Sequence, residues 1–267
     1  MTKTVSVEKS GQVTTIIIDR PQARNAVNPV TADALVAAFE DFDKDSQASI
    51  AVFYGKGGCF CAGFDLKHAS AAKSDLELQE LAMPTDDSAP PRGPMGPSRM
   101  ELSKPVIGAI AGPALGGGME LALWCDVRVM EEDAYFGVFN RRWGVPLIDG
   151  GTVRLPRLVG MGRALEIIMT GRKVPAEECY RIGLCERLVS KGKARQAAEE
   201  MAREIARFPQ ECMRADRRSV YLQQGLPVHE ALKREWYNGL AALKKEGIAG
   251  ARRFVDGVGR HGDFSKI

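Results

Sequence analysis

The sequence contains no uninterrupted apolar stretch long enough to cross a membrane, and no apolar signal-type segment follows Met1. It has only three histidines, and no serine or cysteine motif ties them into a nucleophilic triad. No P-loop occurs, and the glycines of GGGME lack the G-x-G-x-x-G spacing that opens a dinucleotide-binding fold. The net charge of +3 is too small to indicate a nucleic-acid partner. We therefore expect a cytoplasmic protein that contacts neither membranes nor nucleic acid.

Six cysteines in 267 residues do not resemble the dense framework of a disulfide-stabilised secreted domain. Cys125 lies within an apolar helical pattern, which favours a reduced, buried thiol. Cys59 and Cys61 are separated by one residue and have no second pair, so they do not fit the usual spacings of zinc ligands. The sequence predicts no metal site and no bound cofactor.

The most informative segment is Pro105–Asp126, PVIGAIAGPALGGGMELALWCD, which reads as an apolar strand, a turn and three glycines opening an apolar helix. A helix start offers unpaired N–H groups and the positive end of the helix dipole, and glycines let a substrate come close. Glu120 follows in apolar surroundings that should raise its pKa, which suits proton transfer. The segment indicates chemistry next to a carbonyl. A glutamate that only complements the helix dipole is the alternative interpretation.

A second turn of this kind lies upstream. The apolar run Ser49–Gly55 is typical of a buried parallel strand, and it leads into the small residues of Lys56–Lys67, KGGCFCAGFDLK. Two such turns in one domain can bring two backbone N–H groups together. Two converging donors are what the oxyanion of an enolate requires.

Alternation of strands and helices predicts a largely parallel sheet. The chain becomes almost entirely helical from Ala194 onward, and the segment Ala69–Arg99 is too rich in Pro, Ser and Gly to form one regular element. A segment of this kind beside a site is either a mobile lid or an insertion distant from the chemistry. The other predicted elements are a strand pair Val5–Glu8 and Val13–Asp19, a helix Thr31–Asp43, strands Pro105–Ala111 and Val127–Met130, and C-terminal helices Ala194–Arg207, Gln210–Gln224, His229–Lys245 and Ile248–Val258.

Four motifs in order resemble the crotonase superfamily, the enoyl-CoA hydratase/isomerase family. FCAGFDLK resembles its AG-x-D-L/I motif, and ALGGGMELALWCDVRV resembles its GGG-x-E segment. DRPQARNAV and the stretch from RLPRLVG to CERLV resemble its opening signature and the helices after the site. These motifs cover Phe60–Lys67, Ala114–Val129, Asp19–Val27 and Arg154–Val189, and the resemblance extends over nearly the whole chain.

The resemblance implies an α/β fold, with a crotonase-like ββα spiral core that carries the acyl-CoA site over residues 1–193. A C-terminal helical region, residues 194–267, would serve packing and trimerisation. It also implies a homotrimer or hexamer whose substrate is a coenzyme A thioester, and it favours Ala69–Arg99 as a mobile wall of the acyl pocket. Carried over motif by motif, the oxyanion N–H groups would belong to Phe64 and Gly117, and Glu120 would be the acid/base. Coenzyme A would contact Arg24, Ala62, Asp65 and Lys67, although a solvated surface cation is the alternative for Arg24 and Lys67.

The chain departs from the hydratase pattern at Asn140, four residues after Phe136, where hydratases carry a second glutamate. Asparagine can hold water but cannot exchange a proton at neutral pH. Asp149 offers compensation, because it resembles an aspartate of dienoyl-CoA isomerases. It could instead cap the helix that begins near Gly151. Arg141 or Arg142 could neutralise Asp149 or bind a carboxylate on the substrate.

Three functions remain open on the sequence alone. The first is an enzyme that hydrates or isomerises an enoyl-CoA through an enolate, with Asn140 or Asp149 as the second catalytic group beside Glu120. The second is decarboxylation of a malonyl-type thioester through the same enolate. The third is a non-catalytic acyl-CoA-binding protein, which would have no need for a buried carboxylate at Glu120.

Overall fold

The fold is built on a six-stranded sheet, seen in a computed structural model that describes residues 3–70, 82–83 and 92–259. The strand order is β1-β2-β3-β4-β6-β9, in which β1 and β2 pair antiparallel and all the other neighbours pair in parallel. A smaller sheet, β5-β7-β8, lies beside it. The strands are β1 Val5–Ser10, β2 Val13–Ile18, β3 Ile50–Gly55, β4 Val106–Ile110, β5 Pro113–Leu115, β6 Val127–Glu131, β7 Tyr135–Gly137, β8 Lys173–Pro175 and β9 Arg187–Val189.

Short helices follow most of the strands. The helix α1 begins after Asn28, whose side chain accepts a hydrogen bond from the N–H of Thr31 at 3.0 Å and so caps the helix. The helices are α1 Pro29–Lys44, α2 Leu66–Ala69, α3 Gly117–Trp124, α4 Gly151–Val159, α5 Met161–Thr170, α6 Ala176–Arg181, α7 Ala194–Ala206, α8 Gln210–Leu222, α9 Val228–Ala242 and α10 Ile248–Val255.

The sheet is buried on both faces, which explains why its central strands are apolar without alternation. On one face Phe39 of α1 packs edge-on against Phe53 and Trp124, at ring-centroid distances of 5.2 and 4.8 Å. On the other face α7 lies against the strands through the small side chains of Ala198 and Ala202. Small residues let this helix approach the sheet closely.

The C-terminal helices are attached to the core at the end of α3. The carboxylate of Asp126 accepts hydrogen bonds from Arg217 at 2.8 Å and from the hydroxyl of Tyr221 at 2.6 Å, both on α8. Its other oxygen accepts the N–H of Val106 at 2.7 Å. One carboxylate therefore joins β4 and α8.

The predicted hairpin, parallel strands and helices are confirmed, with ends that differ by a few residues. The predicted fold class is confirmed by the structures compared below. Most of the predicted wall Ala69–Arg99 lies outside the described residues. Its described end contains a short 3₁₀ turn at Pro97–Arg99. No helix in the described ranges is long and apolar enough to cross a membrane.

Candidate active site

The two glycine-containing turns identified in the sequence lie against each other. The N–H of Cys61 donates to the carbonyl of Pro113 at 3.3 Å, and the N–H of Leu115 donates back to the carbonyl of Cys61 at 2.9 Å. Gly63 has φ +98° and no room for a side chain, because an added Cβ would lie 2.7 Å from the Leu115 carbonyl oxygen and 3.3 Å from the nitrogen of Gly117. The first turn therefore lies directly on the start of α3.

The backbone of the first turn aims one N–H group at this junction. Val27 donates to the carbonyl of Gly63 and accepts from the N–H of Asp65, both at 2.9 Å, as in a parallel bridge. The N–H of Phe64, between them, points to the opposite side, where Cys61 pairs with Ala114.

The N–H of Gly117 faces the same junction. Gly117 is the first residue of α3, so its N–H has no partner within the helix. Within the described ranges, neither this N–H nor that of Phe64 donates a hydrogen bond to protein. Both N–H groups therefore remain available as donors, and their joint role in an oxyanion hole stays a prediction.

The three glycines also lie close to neighbouring segments. A Cβ on Gly118 would lie 2.1 Å from the carbonyl oxygen of Cys61, and one on Gly117 would lie 2.6 Å from Sδ of Met95. A Cβ on Gly116 would lie 3.1 Å from Oδ1 of Asn140. The backbone of α3 thus touches the first turn and two neighbouring loops directly.

Glu120 lies one turn into α3 and is 2% exposed. Its Oε1 accepts hydrogen bonds from the N–H of Asp149 at 2.9 Å and from the N–H of Gly151 at 2.8 Å. Burial raises the pKa of Glu120 to about 7, and the nearby Asp149 carboxylate adds to the rise while the two N–H groups oppose it. Such a carboxyl can both accept and release a proton near neutral pH.

Asp149 is also buried, at 3% exposed, but it does not cap a helix. The N-cap position of α4 is occupied by Gly150 and not by Asp149, and no side chain caps this helix end. The capping interpretation of Asp149 is therefore wrong. Its Oδ1 instead accepts the N–H of Met95 at 3.0 Å and the hydroxyl of Ser98. Glu120 holds the backbone N–H of Asp149, and the Asp149 side chain lies in the protein interior. Burial raises the pKa of Asp149, and the Ser98 hydroxyl opposes that rise.

The arginines near Asp149 are not those that the sequence suggested. Arg141 donates through Nε to the carbonyl of Ile168 at 3.2 Å. Arg142 stacks on the ring of Phe139, at 4.0 Å from its centroid. The guanidinium that reaches the Asp149 backbone is that of Arg154, at 3.0 Å from the Asp149 carbonyl oxygen. Neutralisation of Asp149 by Arg141 or Arg142 is therefore wrong.

Asn140 lies beside Gly116, where an added Cβ would be 3.1 Å from Oδ1 of Asn140. Its Nδ2 donates to the carbonyl of Val145 at 2.8 Å, whereas its buried Oδ1 has no hydrogen-bond partner in the described residues. A buried amide oxygen without a donor is uncommon, because leaving it unpaired is costly. Asn140 therefore presents a free acceptor beside Gly116.

The residues predicted to contact coenzyme A lie along one edge of the first turn. The N–H of Ala62 donates to the carbonyl of Arg24 at 3.0 Å, and both Arg24 and Lys67 are exposed. Asp65 caps the short helix α2 and pairs with Arg20 at 3.1 Å. The structure thus brings Arg24 and Ala62 together and engages Asp65 within the protein.

Met95, Ser98 and Arg154 were missed in the sequence. Arg154 donates to the carbonyl of Ser98 at 2.7 Å as well as to Asp149, so these three residues and Asp149 form one network. The only sequence signal was the Pro- and Gly-rich composition around Met95 and Ser98, which indicates a loop but does not name its partners.

The chain has the crotonase fold. A solved structure of an enoyl-CoA hydratase from Mycobacterium tuberculosis matches it with a TM-score of 0.85 at 30% identity, covering 95% of this chain and 96% of that one. Among curated proteins, "Enoyl-CoA hydratase EchA19" of M. tuberculosis is 32% identical over 94% of this chain and 92% of that protein. "Carnitinyl-CoA dehydratase" of Salmonella typhi is 32% identical over 87% and 86%.

The family model "Enoyl-CoA hydratase/isomerase" matches residues 8–238. The chain belongs to the enoyl-CoA hydratase/isomerase family, and it is an acyl-CoA enzyme of this type.

Proposed function

We propose that the enzyme adds water to, or removes it from, the α,β-bond of an acyl-CoA through an enolate, with Glu120 as its only side-chain acid/base. The observation that carries the proposal is the Glu120 carboxyl, buried one helical turn beyond the free N–H of Gly117, with a pKa of about 7. All its hydrogen bonds to described residues go to Oε1, which leaves Oε2 for the substrate.

The enolate oxygen would lie between the N–H groups of Phe64 and Gly117. These donors belong to rigid backbone and need no reorganisation as charge develops on the oxygen. Loss of one such donor typically costs roughly 10²–10³-fold in rate. The Phe64 side chain packs partly on the core, so its ring would form one wall of the acyl pocket.

In the proposed reaction Glu120 begins ionised. In hydration it takes a proton from water, the oxygen of that water bonds to Cβ, and the same proton then passes to Cα. In dehydration the steps reverse. Asn140 supports this route as an acceptor, since its unpaired Oδ1 can hold the hydrogen of a water or of a substrate hydroxyl.

Three observations separate this proposal from its three alternatives. Isomerisation of an enoyl- or dienoyl-CoA with Asp149 as the second proton carrier is the next candidate, and it would need that carboxylate to serve the substrate while it holds Met95 and Ser98. Decarboxylation of a malonyl-type thioester would need donors at Asn140, yet its free atom is the acceptor Oδ1. A protein that binds acyl-CoA without catalysis does not need a carboxyl that exchanges protons near neutral pH, as the raised pKa of Glu120 allows.

Coenzyme A would lie along the edge formed by Arg24, Ala62 and Asp65, with Lys67 as a second cation for the phosphates. Calorimetry with acetyl-CoA should show binding, and Lys67→Ala should weaken it. Lys191→Ala, an exposed lysine on the loop after β9 that pairs with Asp133, is the matched control and should not weaken it. A folded sample that binds no acyl-CoA would exclude the proposal.

The reaction itself is tested with a panel of thioesters followed by mass spectrometry: crotonyl-, 3-enoyl-, dienoyl- and methylmalonyl-CoA. Hydration of a 2-enoyl-CoA should be the reaction observed. In Glu120→Gln it should fall by roughly 10²–10⁴-fold, because shape and hydrogen bonding remain while the exchangeable proton is lost. Glu177→Gln, an exposed carboxylate on α6, controls for loss of charge alone. Near-full turnover in Glu120→Gln would disprove the assignment.

We also propose a homotrimer, or a hexamer formed from two trimers, in the cytoplasm. Support comes from large apolar side chains that the single chain leaves exposed on α9 and α10, among them Val228, Trp236, Ile248 and Phe254. All six cysteines are free thiols, which suits a reducing compartment. Sedimentation analysis of the purified protein tests the oligomeric state, and a monomer at micromolar concentration would exclude it.

A further inference from the structure

The loop that Asp149 holds is tightly closed upon itself. Gly93 and Gly96 exchange two backbone hydrogen bonds, of 2.8 and 2.9 Å, so the loop between them is short and fixed in shape. A Cβ on Gly93 would lie 2.0 Å from Oγ of Ser98 and 2.5 Å from Oδ1 of Asp149. Glycine at this position is what allows the carboxylate and the hydroxyl to meet under the loop.

At the tip of this loop Met95 is fully buried and lies against the start of α3. Its Sδ and Cγ are 2.6 and 2.8 Å from the place where a Cβ of Gly117 would be, so the thioether covers the glycine whose N–H is a proposed oxyanion donor. The backbone N–H of Met95 is bound by Asp149. The position of this side chain therefore depends on the Asp149 carboxylate.

The backbone and the side chain of Asp149 bind two different segments of the site. Its backbone N–H binds Glu120, and its side chain binds the loop that carries Met95. Ser98 completes the attachment from the same loop, and the carbonyl of Ser98 is in turn bound by Arg154. A group that accepts two hydrogen bonds in a buried site is suited to holding structure, since taking up a proton would weaken both bonds.

We infer that Asp149 and Ser98 are a positioning pair, which sets the acyl pocket by holding Met95 against Gly117, and that the Asp149 carboxylate carries no substrate proton. This inference rests on the proposed function, because it names what shapes the pocket of that site. It assigns acyl-group selectivity to the Gly93–Ser98 loop. Acyl groups that branch next to the thioester depend on this wall most, because Met95 lies beside Gly117, the proposed donor to the thioester oxygen.

The test compares Asp149→Asn with Asp149→Ala and Ser98→Ala. Asparagine retains an Oδ1 that can accept from both Met95 and Ser98, whereas alanine retains none. Hydrogen exchange of the peptide that contains Met95 should become faster in Asp149→Ala and Ser98→Ala but not in Asp149→Asn. The ratio of kcat/KM for 2-methyl-branched against unbranched acyl-CoA should change about five- to tenfold in the two alanine variants, the loss expected for a hydrogen bond of ordinary strength. In Asp149→Asn kcat should stay within about fivefold of wild type.

Each outcome decides one question. A loss of roughly 10²-fold or more in kcat in Asp149→Asn, with exchange at Met95 unchanged, would show that Asp149 carries a proton and would overturn the inference. Unchanged exchange in both alanine variants would overturn it as well. Absence of turnover with every thioester in the wild type would remove the proposed function, while the exchange data would still decide whether the pair holds the loop. Asp133→Asn, at an exposed ion pair with Lys191, controls for loss of a charge and should match wild type in both measurements.

Discussion

Asp149 binds Glu120 through its backbone, 2.9 Å from N to Oε1, and it influences the same residue through its charge. The N–H bond stabilises the ionised form of Glu120, whereas the carboxylate of Asp149 disfavours that form. Burial has the largest effect and raises the pKa of Glu120 to about 7. The outcome is a carboxyl whose orientation is fixed and whose two protonation states are close in free energy at neutral pH.

The pH dependence of kcat/KM should report this carboxyl. Because the proposed reaction starts from ionised Glu120, log kcat/KM for a 2-enoyl-CoA should fall with a slope of one as the pH drops below about 7. The measurement is steady-state kinetics from pH 5 to 9, with circular dichroism at each pH to show that the protein stays folded. A flat profile between pH 5 and 8 would contradict the proposed role.

The same group should make folding stability depend on pH. Its pKa is raised on folding, so the folded state binds the proton more tightly, and stability is lost as the pH rises from about 4.5 through about 7. At about 1.4 kcal/mol per pKa unit, the loss at alkaline pH is on the order of 3 kcal/mol. Glu120→Gln removes this pH dependence. In denaturant titrations the free energy of unfolding of the variant, relative to that of the wild type, should therefore be higher at pH 8.5 than at pH 5. The same difference in free energy of unfolding between variant and wild type at both pH values would refute this prediction.

Asn140→Glu restores the second carboxylate of the hydratase pattern. We expect the wild type to hydrate crotonyl-CoA slowly and Asn140→Glu to do so at least about tenfold faster, because a second acid/base becomes available. Asn140→Gln has the size of the glutamate variant without its proton, and it should not show the increase. Wild-type turnover near 10³ s⁻¹, at the fast end of enzyme rates, would show that Asn140 is no handicap.

Gly118 is predicted to tolerate no side chain. A Cβ there would lie 2.1 Å from a backbone oxygen of Cys61, and neither backbone can yield without opening the contact between the two turns. Gly118→Ala should therefore destabilise the protein by about 1–3 kcal/mol or more. Gly162→Ala on α5, where nothing lies within 4 Å of the added Cβ, is the control and should be neutral or stabilise by up to about 1 kcal/mol. Both are measured by denaturant unfolding, and equal effects would contradict the argument from space.

The sequence predicted those features that depend on local pattern. Buried parallel strands are continuous apolar runs, so Ile50–Gly55 and Val106–Ile110 could be located to within a residue or two. Glu120 could be singled out because it is the only charge in a long apolar segment. The glycines before it were attributed to substrate approach alone, and the contact of Gly118 with Cys61 could not be foreseen because it joins distant segments.

The partners of Asp149 could not be predicted. An aspartate next to a helix start usually caps that helix, which is a local preference, but here Glu120 already holds the Asp149 backbone. The side chain turns instead to Met95 and Ser98, some fifty positions upstream in a segment without periodicity. Their meeting is decided by tertiary packing, which composition does not encode.

The segment 138–150 is fixed at both of its borders. Just before it, the carbonyl of Gly137 accepts the N–H of Gly116 at 2.9 Å, and just after it the N–H of Gly151 donates to Glu120. The residues between these borders include Asn140 and Asp149, which distinguish this chain from the hydratase pattern. Substitutions within the segment can therefore replace Asn140 or Asp149 without removing either of these two hydrogen bonds, because residues outside the segment make both of them.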